Sequence, residues 1–352
     1  MKSGFNTLVL VLIGGVNLSA VFQLLARQAG DNSDLKASTT ALRQATDALS
    51  KANDAAAAVA AADAAVKSSD SVNAAAAAVA PQTDCESVLD KLDTKFNSRR
   101  KARQQTSFTP NLTLAPNQNN AERTFWDKYE PEAVCFDEER FGGSIRYDAL
   151  GDGPKFVCGA DYIAKKAKKN EAGCLVYSIG SNNDISFEKA VKSTMGCEIH
   201  TFDPTVATDK FVGHDITTFH EWGLDQDNSP HGTNYKSVAT VIKELGHEGR
   251  TIDIFKIDCE GCEAISMPPL LESIAKGEVA VNQIQIEMHQ KAFVGDANAL
   301  DSFFDKVDNA NFRIFHKERN QWGCMGYKCL EYSFVNEKFL REVNGEYVCH
   351  RV

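Results

Sequence analysis

The sequence predicts an α/β domain, a largely parallel sheet with helices on both faces, preceded by a membrane anchor and an Ala-rich helical stem. Three observations lead there. Apolar runs that end in glycine or an acid recur at Cys174–Gly180, Cys197–Asp203, Thr251–Asp258 and Gln283–His289. The first two are separated by a helix-type segment, as strands of a parallel sheet must be. Before residue 125 the composition is of another kind, an uncharged stretch followed by alanine. Over all 352 residues the chain carries 38 basic and 48 acidic side chains, a net charge of −10, with 43% hydrophobic residues. Those averages exclude a wholly disordered chain, a collagen and a polytopic membrane protein. The acidic balance also excludes a general nucleic-acid binder, which needs a basic footprint.

Residues 1–7 form a short tail, and Leu8 to Ala26 then runs without a charge for 19 residues. As a helix that is about 28 Å, close to the roughly 30 Å hydrocarbon core. The run reads as an uncleaved anchor; the competing reading is a signal peptide, whose apolar region is shorter and ends at a small-x-small site, poorly matched by Leu24-Leu25-Ala26. Either way the remainder is expected in the secretory pathway, most simply as a luminal domain on a single-pass Golgi protein. The stem spans 27–84. Ala41, Ala45, Ala48, Ala52, Ala55, Val59, Ala62 and Val66 follow a heptad spacing. Alanine favours a helix, either as a solvated spacer or as a self-associating stalk. Residues 85–124 read as a linker and N-terminal extension, with a solvated basic run at Arg99, Arg100, Lys101 and Arg103 and a glycosylation sequon at Asn111. The folded domain is expected over 125–352.

Cys174–Gly180 reads as a buried strand, Ser181–Asp184 as a loop, Ile185–Met195 as a helix closed by Gly196, and Cys197–Phe202 as a second strand ending at Asp203, 23 positions after Gly180. Glycine permits close backbone approach to a ligand, a helix N-terminus offers free N–H groups, and an acid ending the second strand can take ribose hydroxyls. Dinucleotides and S-adenosylmethionine both use this arrangement. The G-x-G-x-x-G that favours a dinucleotide is missing; an acid at Asp184 suits the ammonium of a methyl donor better than a pyrophosphate. Ligands of open α/β sheets bind beyond the carboxyl ends of the strands, where Gly180, Asp203, Asp258, Glu260 and His289 would all lie.

Phe255-Lys256-Ile257-Asp258-Cys259-Glu260-Gly261-Cys262-Glu263 resembles the K-I-D-x-E-G-x-E signature of FkbM-type, S-adenosylmethionine-dependent methyltransferases. Leu175–Ser181 and Asp152–Cys158 look like the membrane-anchored, methyltransferase-like branch of that group. The resemblance covers about residues 125–352 and implies a class I methyltransferase fold, Rossmann-like, with S-adenosyl-L-methionine as cofactor and methyl transfer to oxygen. It places Gly180 and Asn182 on the donor loop, Asp203 on the ribose and Asp258 near the methyl. Ser178 departs from the usual acid two before the glycine, and Asp184 from a usual glycine.

For the chemistry, His289 is the expected base, with Asp258 and Glu260 beside it; the duller alternative for His289 is a strand-end histidine bonded to a loop. Asp184, Trp222 and Gly223 complete the expected donor site. Asp258, Glu260, Glu263 and Glu287 could hold a divalent ion, but donor holding, loop orientation and helix capping account for them, so no metal is expected. Cys259-x-x-Cys262 lacks a second pair at zinc spacing. Disulfides are expected among Cys135, Cys158, Cys174, Cys324, Cys329 and Cys349, with pairing open. Two other functions compete: a glycosyltransferase using Asp225-Gln226-Asp227, and a non-catalytic membrane-anchored domain. The acceptor is not named by the sequence, a glycan being one choice for a luminal enzyme.

Overall fold

The computed structural model describes residues 82–106, 126–143, 145–146, 149–150, 153–293, 298–320 and 328–350. The anchor, the stem up to residue 81, Asn111, Asp152 and Cys324 lie outside them. Among the described residues no helix is long and apolar enough to cross a membrane. The fold below is that of the unit Pro81–Val352.

The elements run α1 (Gln82–Gln105), β1 (Glu138–Phe141), β2 (Lys155–Cys158), α2 (Ala160–Lys169), β3 (Leu175–Ile179), α3 (Ser186–Met195), β4 (Glu198–Phe202), β5 (Thr218–His220), α4 (Val238–Glu244), β6 (Ile254–Ile257), α5 (Glu263–Ala275), β7 (Gln283–His289), α6 (Ala299–Asn309), β8 (Phe312–Arg319), β9 (Cys329–Asn336) and α7 (Glu337–His350). Seven of the strands form one sheet in the order β8-β9-β7-β6-β3-β4-β5. Pairing is parallel from β7 through β5, whereas β9 runs antiparallel between β7 and β8. Counted within the sheet the order is 3-2-1-4-5-7-6 with the seventh strand reversed, the class I methyltransferase arrangement that the sequence led us to expect.

Helices pack on both faces. One face buries Tyr177, Phe255, Ile257, Ile284, Ile286 and Met288 against α4, α5 and α6. The other carries Val176, Ile199, Ile254 and Val335 against α1, α2, α3 and α7, with the β1–β2 hairpin laid over it. The expected helix forms as α3 and closes on Gly196, whose left-handed backbone (φ +71°) lets its N–H reach the Lys192 carbonyl.

One expectation is corrected. The basic run at Arg99–Arg103 belongs to α1 and not to a solvated linker. Arg103 is buried, its guanidinium 2.5 Å from Asp308 and 3.2 Å from Glu132, and Arg100 lies 3.4 Å from Asp308. Buried carboxylates from distant segments give these arginines partners, which composition cannot reveal. Cys85 at the start of α1 is bridged to Cys349 in α7, and Cys135–Cys158, Cys174–Cys197 and Cys259–Cys262 are also bonded. Cys329 is disulfide-bonded too.

Candidate active site

The loop after β3 is built by its contacts with protein. Gly180 has φ +75°, and a Cβ there would stand 1.7 Å from the Asp258 carbonyl oxygen. Glycine is demanded by that backbone crossing; the sequence reading gave the close approach to a ligand instead. Lys256 Nζ donates to the Gly180 carbonyl at 2.6 Å, locking the crossing. Asn182 and Asn183 both adopt left-handed backbone, at φ +44° and +64°. The amides of Ser181 and Asn182 donate to Asp203 Oδ2 at 3.0 and 2.7 Å, while the amide and hydroxyl of Thr205 donate to Oδ1 at 2.9 and 2.6 Å. A carboxylate has about four lone-pair sites, so Asp203 is saturated. It therefore orders the loop. A ribose hydroxyl would reach it by displacing the Thr205 hydroxyl, which rotates freely. Burial works to raise the Asp203 pKa, but these donors outweigh it and hold the group below its ordinary value.

Asp184, exposed, accepts from the Ser186 amide at 2.9 Å and so opens α3. Ser178, which stands where an acid was expected, donates its hydroxyl to the fully buried Glu188 of α3. The strand hydroxyl is thus held by a buried helix carboxylate. Sequence reading missed Glu188, because only folding α3 against β3 brings it there.

A buried charge cluster lies under the ends of β6, β7 and β9. Lys155, from the covering hairpin, is 1% exposed, with its ammonium 2.6 Å from Glu331 and 3.4 Å from Asp258. Burial disfavours its charge, but Glu331, Asp258 and Glu287 outweigh this and raise its pKa. Asp258 is held well below the usual carboxylate range, Lys155 and then Lys256 overcoming its own burial. Glu287 moves the opposite way, raised by burial and then by the charges of Asp258 and Glu331, so it stays protonated and shares a hydrogen bond with Asp258. Asn320 Nδ2 donates to Glu287 at 2.6 Å. Asp258, Glu287 and Glu331 converge closely enough to hold an ion, but the Lys155 ammonium already supplies the positive charge.

His289, the expected base, is held on both sides by carboxylates. It is 3% exposed; its Nδ1 lies 3.0 Å from Glu263, which also accepts the His289 amide at 2.9 Å, and its Nε2 is 3.3 Å from Glu260. Burial would lower its pKa, but Glu263 and then Glu260 raise it above the ordinary value. Both ring nitrogens face carboxylates of the Glu260–Glu263 segment, as in the strand-end alternative, and His289 is not among the residues that line the donor cavity. Glu263 Oε2 also accepts the Gly261 amide at 2.8 Å, fixing the Cys259–Cys262 loop in which Glu260 adopts φ +58°.

A cavity of about 520 Å³ opens at the carboxyl ends of β3, β4 and β6. Gly180, Asn182, Asp184, Asp203, Gly223, Asp258 and Glu260 line it, together with Tyr235 and Leu224. Trp222 does not; it packs on His220, ring centroids 4.6 Å apart, beneath the Lys236 ammonium at 3.6 Å. The cavity fits S-adenosylmethionine in size and in chemistry. Leu224, Pro204 and Tyr235 offer an apolar end for adenine, and the ionised Asp258 a negative wall for the sulfonium. The Asp225-Gln226-Asp227 reading is weakened. Asp225 is buried, accepting from the Gln226 amide and the Ser229 hydroxyl, while the exposed Asp227 accepts through Oδ1 from the Ser237 amide and Thr240 Oγ1 at the start of α4. Asp225 is thus committed to its own turn.

Comparison with known proteins agrees. A family model described as a methyltransferase domain matches residues 85–336. "Probable methyltransferase-like protein 24" of Homo sapiens is 23% identical over 181 residues, 47% of this chain and 49% of the relative. The Rattus norvegicus protein of that name is 23% identical over 177 residues, 46% and 48% of the two chains. The chain thus spans about half the length of the curated relatives it matches. Among solved structures, the Methanococcus jannaschii fibrillarin pre-rRNA processing protein aligns over 57% of this chain and 84% of its own, at 10% identity and a TM-score of 0.31. With the family match over most of its length, the strand order and the donor cavity, the chain belongs to this methyltransferase-domain family, with S-adenosylmethionine as its cofactor.

Proposed function

We propose that the chain transfers a methyl group from S-adenosylmethionine to an oxygen of a secretory-pathway acceptor, a glycan being the class favoured. The cavity at the ends of β3, β4 and β6, walled by an ionised Asp258, carries the reading. The bound donor supplies an electrophilic methyl on a sulfonium, and the protein must align the acceptor and receive its proton. Asp258 steadies positive charge at the methyl end. Burial and then the charge of Asp258 raise the pKa of Glu287, and His289, its ring held by Glu263, does not line the cavity, so neither is the base proposed. Glu260, 73% exposed at the rim and 3.0 Å from Lys291, is the carboxylate placed to receive the proton. Asp203 holds the loop that forms the floor, and the backbone at Gly223, against which Tyr235 packs, borders the adenine.

The secretory assignment is supported by the disulfides, which persist in oxidising compartments. Residues 8–26 are the proposed anchor, with the described domain luminal, and the alanine stem is a proposed site of self-association.

Calorimetry of the purified chain against S-adenosylmethionine and a panel of sugar nucleotides tests the proposal. Binding of the methyl donor alone is expected. Asp203→Ala should weaken donor affinity by a factor of ten or more while the circular dichroism of the fold persists, on the order of the 1.5–3 kcal/mol that a charged hydrogen-bond acceptor contributes. Unchanged affinity in that variant would remove Asp203 from the site, and binding of no donor would leave the non-catalytic reading.

A further inference from the structure

On the opposite face from the charge cluster, near the amino ends of the strands, three metal-ligating side chains converge. Glu198 and His200 are two apart on β4 and so project to the same side of the sheet. His247 reaches them from the turn after α4. His200 Nε2 is 2.9 Å and His247 Nε2 is 3.4 Å from the same oxygen, Glu198 Oε1. The three ligand atoms all lie within 4.8 Å of one another. A tetrahedral zinc with bonds of about 2.0–2.1 Å holds its ligand atoms roughly 3.3 Å apart, which these separations nearly match.

A second observation concerns what stands behind each ligand. Metal-bound imidazoles use one ring nitrogen for the ion and give the other to an orienting partner, and a bound carboxylate is itself hydrogen-bonded. Here all three have such a partner on the side away from the point of convergence. His200 Nδ1 is 2.9 Å from His220 Nε2, His247 Nδ1 is 2.8 Å from the Tyr177 hydroxyl, and the Arg250 guanidinium is 2.8 Å from Glu198 Oε2. Both imidazoles are buried, at 8% and 7% exposure, while Glu198 is 42% exposed. The ligands are thus fixed from within and open to solvent on one side, where water can fill the fourth position.

We propose that Glu198, His200 and His247 form a zinc site distinct from the donor cavity. Glu198 lies five positions before Asp203 along the strand, roughly 16 Å at about 3.3 Å per residue. The ion would tie β4 to the turn at Gly246–Arg250 that leads into β6. Two imidazoles and a carboxylate suit zinc; a Ca²⁺ or Mg²⁺ site would be all oxygen.

The test uses the full purified chain, stripped with a chelator, dialysed against zinc and analysed by mass spectrometry and thermal unfolding. About one zinc per chain is expected, with a rise in Tm on adding zinc. His247→Ala and the exposed, fold-sparing Glu198→Gln should each abolish retention. Tyr177→Phe, which removes an orienting partner only, should weaken affinity by about ten- to a hundredfold. Co²⁺ substitution should give the visible absorption of a low-coordinate N/O site in the wild type and not in Glu198→Gln. A chain that holds no zinc, or that holds it equally well in Glu198→Gln and His247→Ala, overturns the proposal. Neither readout involves methyl-donor binding, so failure here leaves the methyltransferase reading standing.

Discussion

The two faces of the central sheet are built on different principles. Along β7, Ile284, Ile286 and Met288 face α5 and α6 in a wholly apolar layer, while Gln283, Gln285, Glu287 and His289 alternate with them onto the other face. Such alternation ordinarily marks a strand with one wet side. All seven residues of β7 are nevertheless buried. The β1–β2 hairpin covers part of the polar side: Gln283 exchanges hydrogen bonds of 2.9 and 3.0 Å with the Cys158 amide and carbonyl, and Lys155 meets Glu331 and Asp258 beside it, while Glu287 takes Asn320 and His289 takes Glu263. The apolar face supplies undirected stability; the polar face spends its burial on fixed charges whose ends form the wall of the donor cavity.

The contrast can be broken at both faces. Lys155→Met leaves Asp258, Glu287 and Glu331 without their cation, and about 3–5 kcal/mol of stability should be lost, read from denaturant midpoints. Phe255→Ala on the other face should cost a similar ~3–5 kcal/mol by leaving a cavity. The distinction lies in donor affinity, which Lys155→Met should reduce and Phe255→Ala should largely spare; equal losses would erase it. Gln283→Leu keeps volume but strands two buried backbone groups at Cys158, for about 2–3 kcal/mol.

A pH series sharpens the picture next. The His289 pKa in the folded protein lies above its unfolded value of about 6.5, because Glu263, then Glu260 and Asp258, outweigh its burial. Its contribution is complete below about pH 6.5 and disappears as pH rises through the folded pKa, with a slope of at most about 1.4 kcal/mol per unit. Unfolding free energy should decline across that interval in the wild type and not in His289→Gln. The smallest effect is expected from Ile286→Val, about 0.5–1.5 kcal/mol on the apolar face with unchanged donor binding.

Much of this was legible locally. The β3–α3–β4 unit, the strand ends at Asp203 and Asp258 and the closing Gly196 follow from apolar runs, caps and turn residues that are contiguous in sequence. Residues that meet only through the tertiary fold were not legible. Lys155 and Glu331 are 176 positions apart, and each looks like an ordinary surface charge in its own segment. Glu188 meets Ser178 only once α3 folds onto β3. His289 reads as a base from its place at a strand tip; Glu263, the carboxylate that holds its ring, lies 26 residues earlier in a helix. Chemistry at a strand tip depends on which neighbours fold around it, and the sequence pattern lists only the tip.

The Cys85–Cys349 bond joins residues 264 positions apart, almost the whole described domain. It makes that domain a covalent ring. A pull applied to the chain outside Cys85 and Cys349 would pass through the bridge, so the sheet and its cavity lie off that line of force.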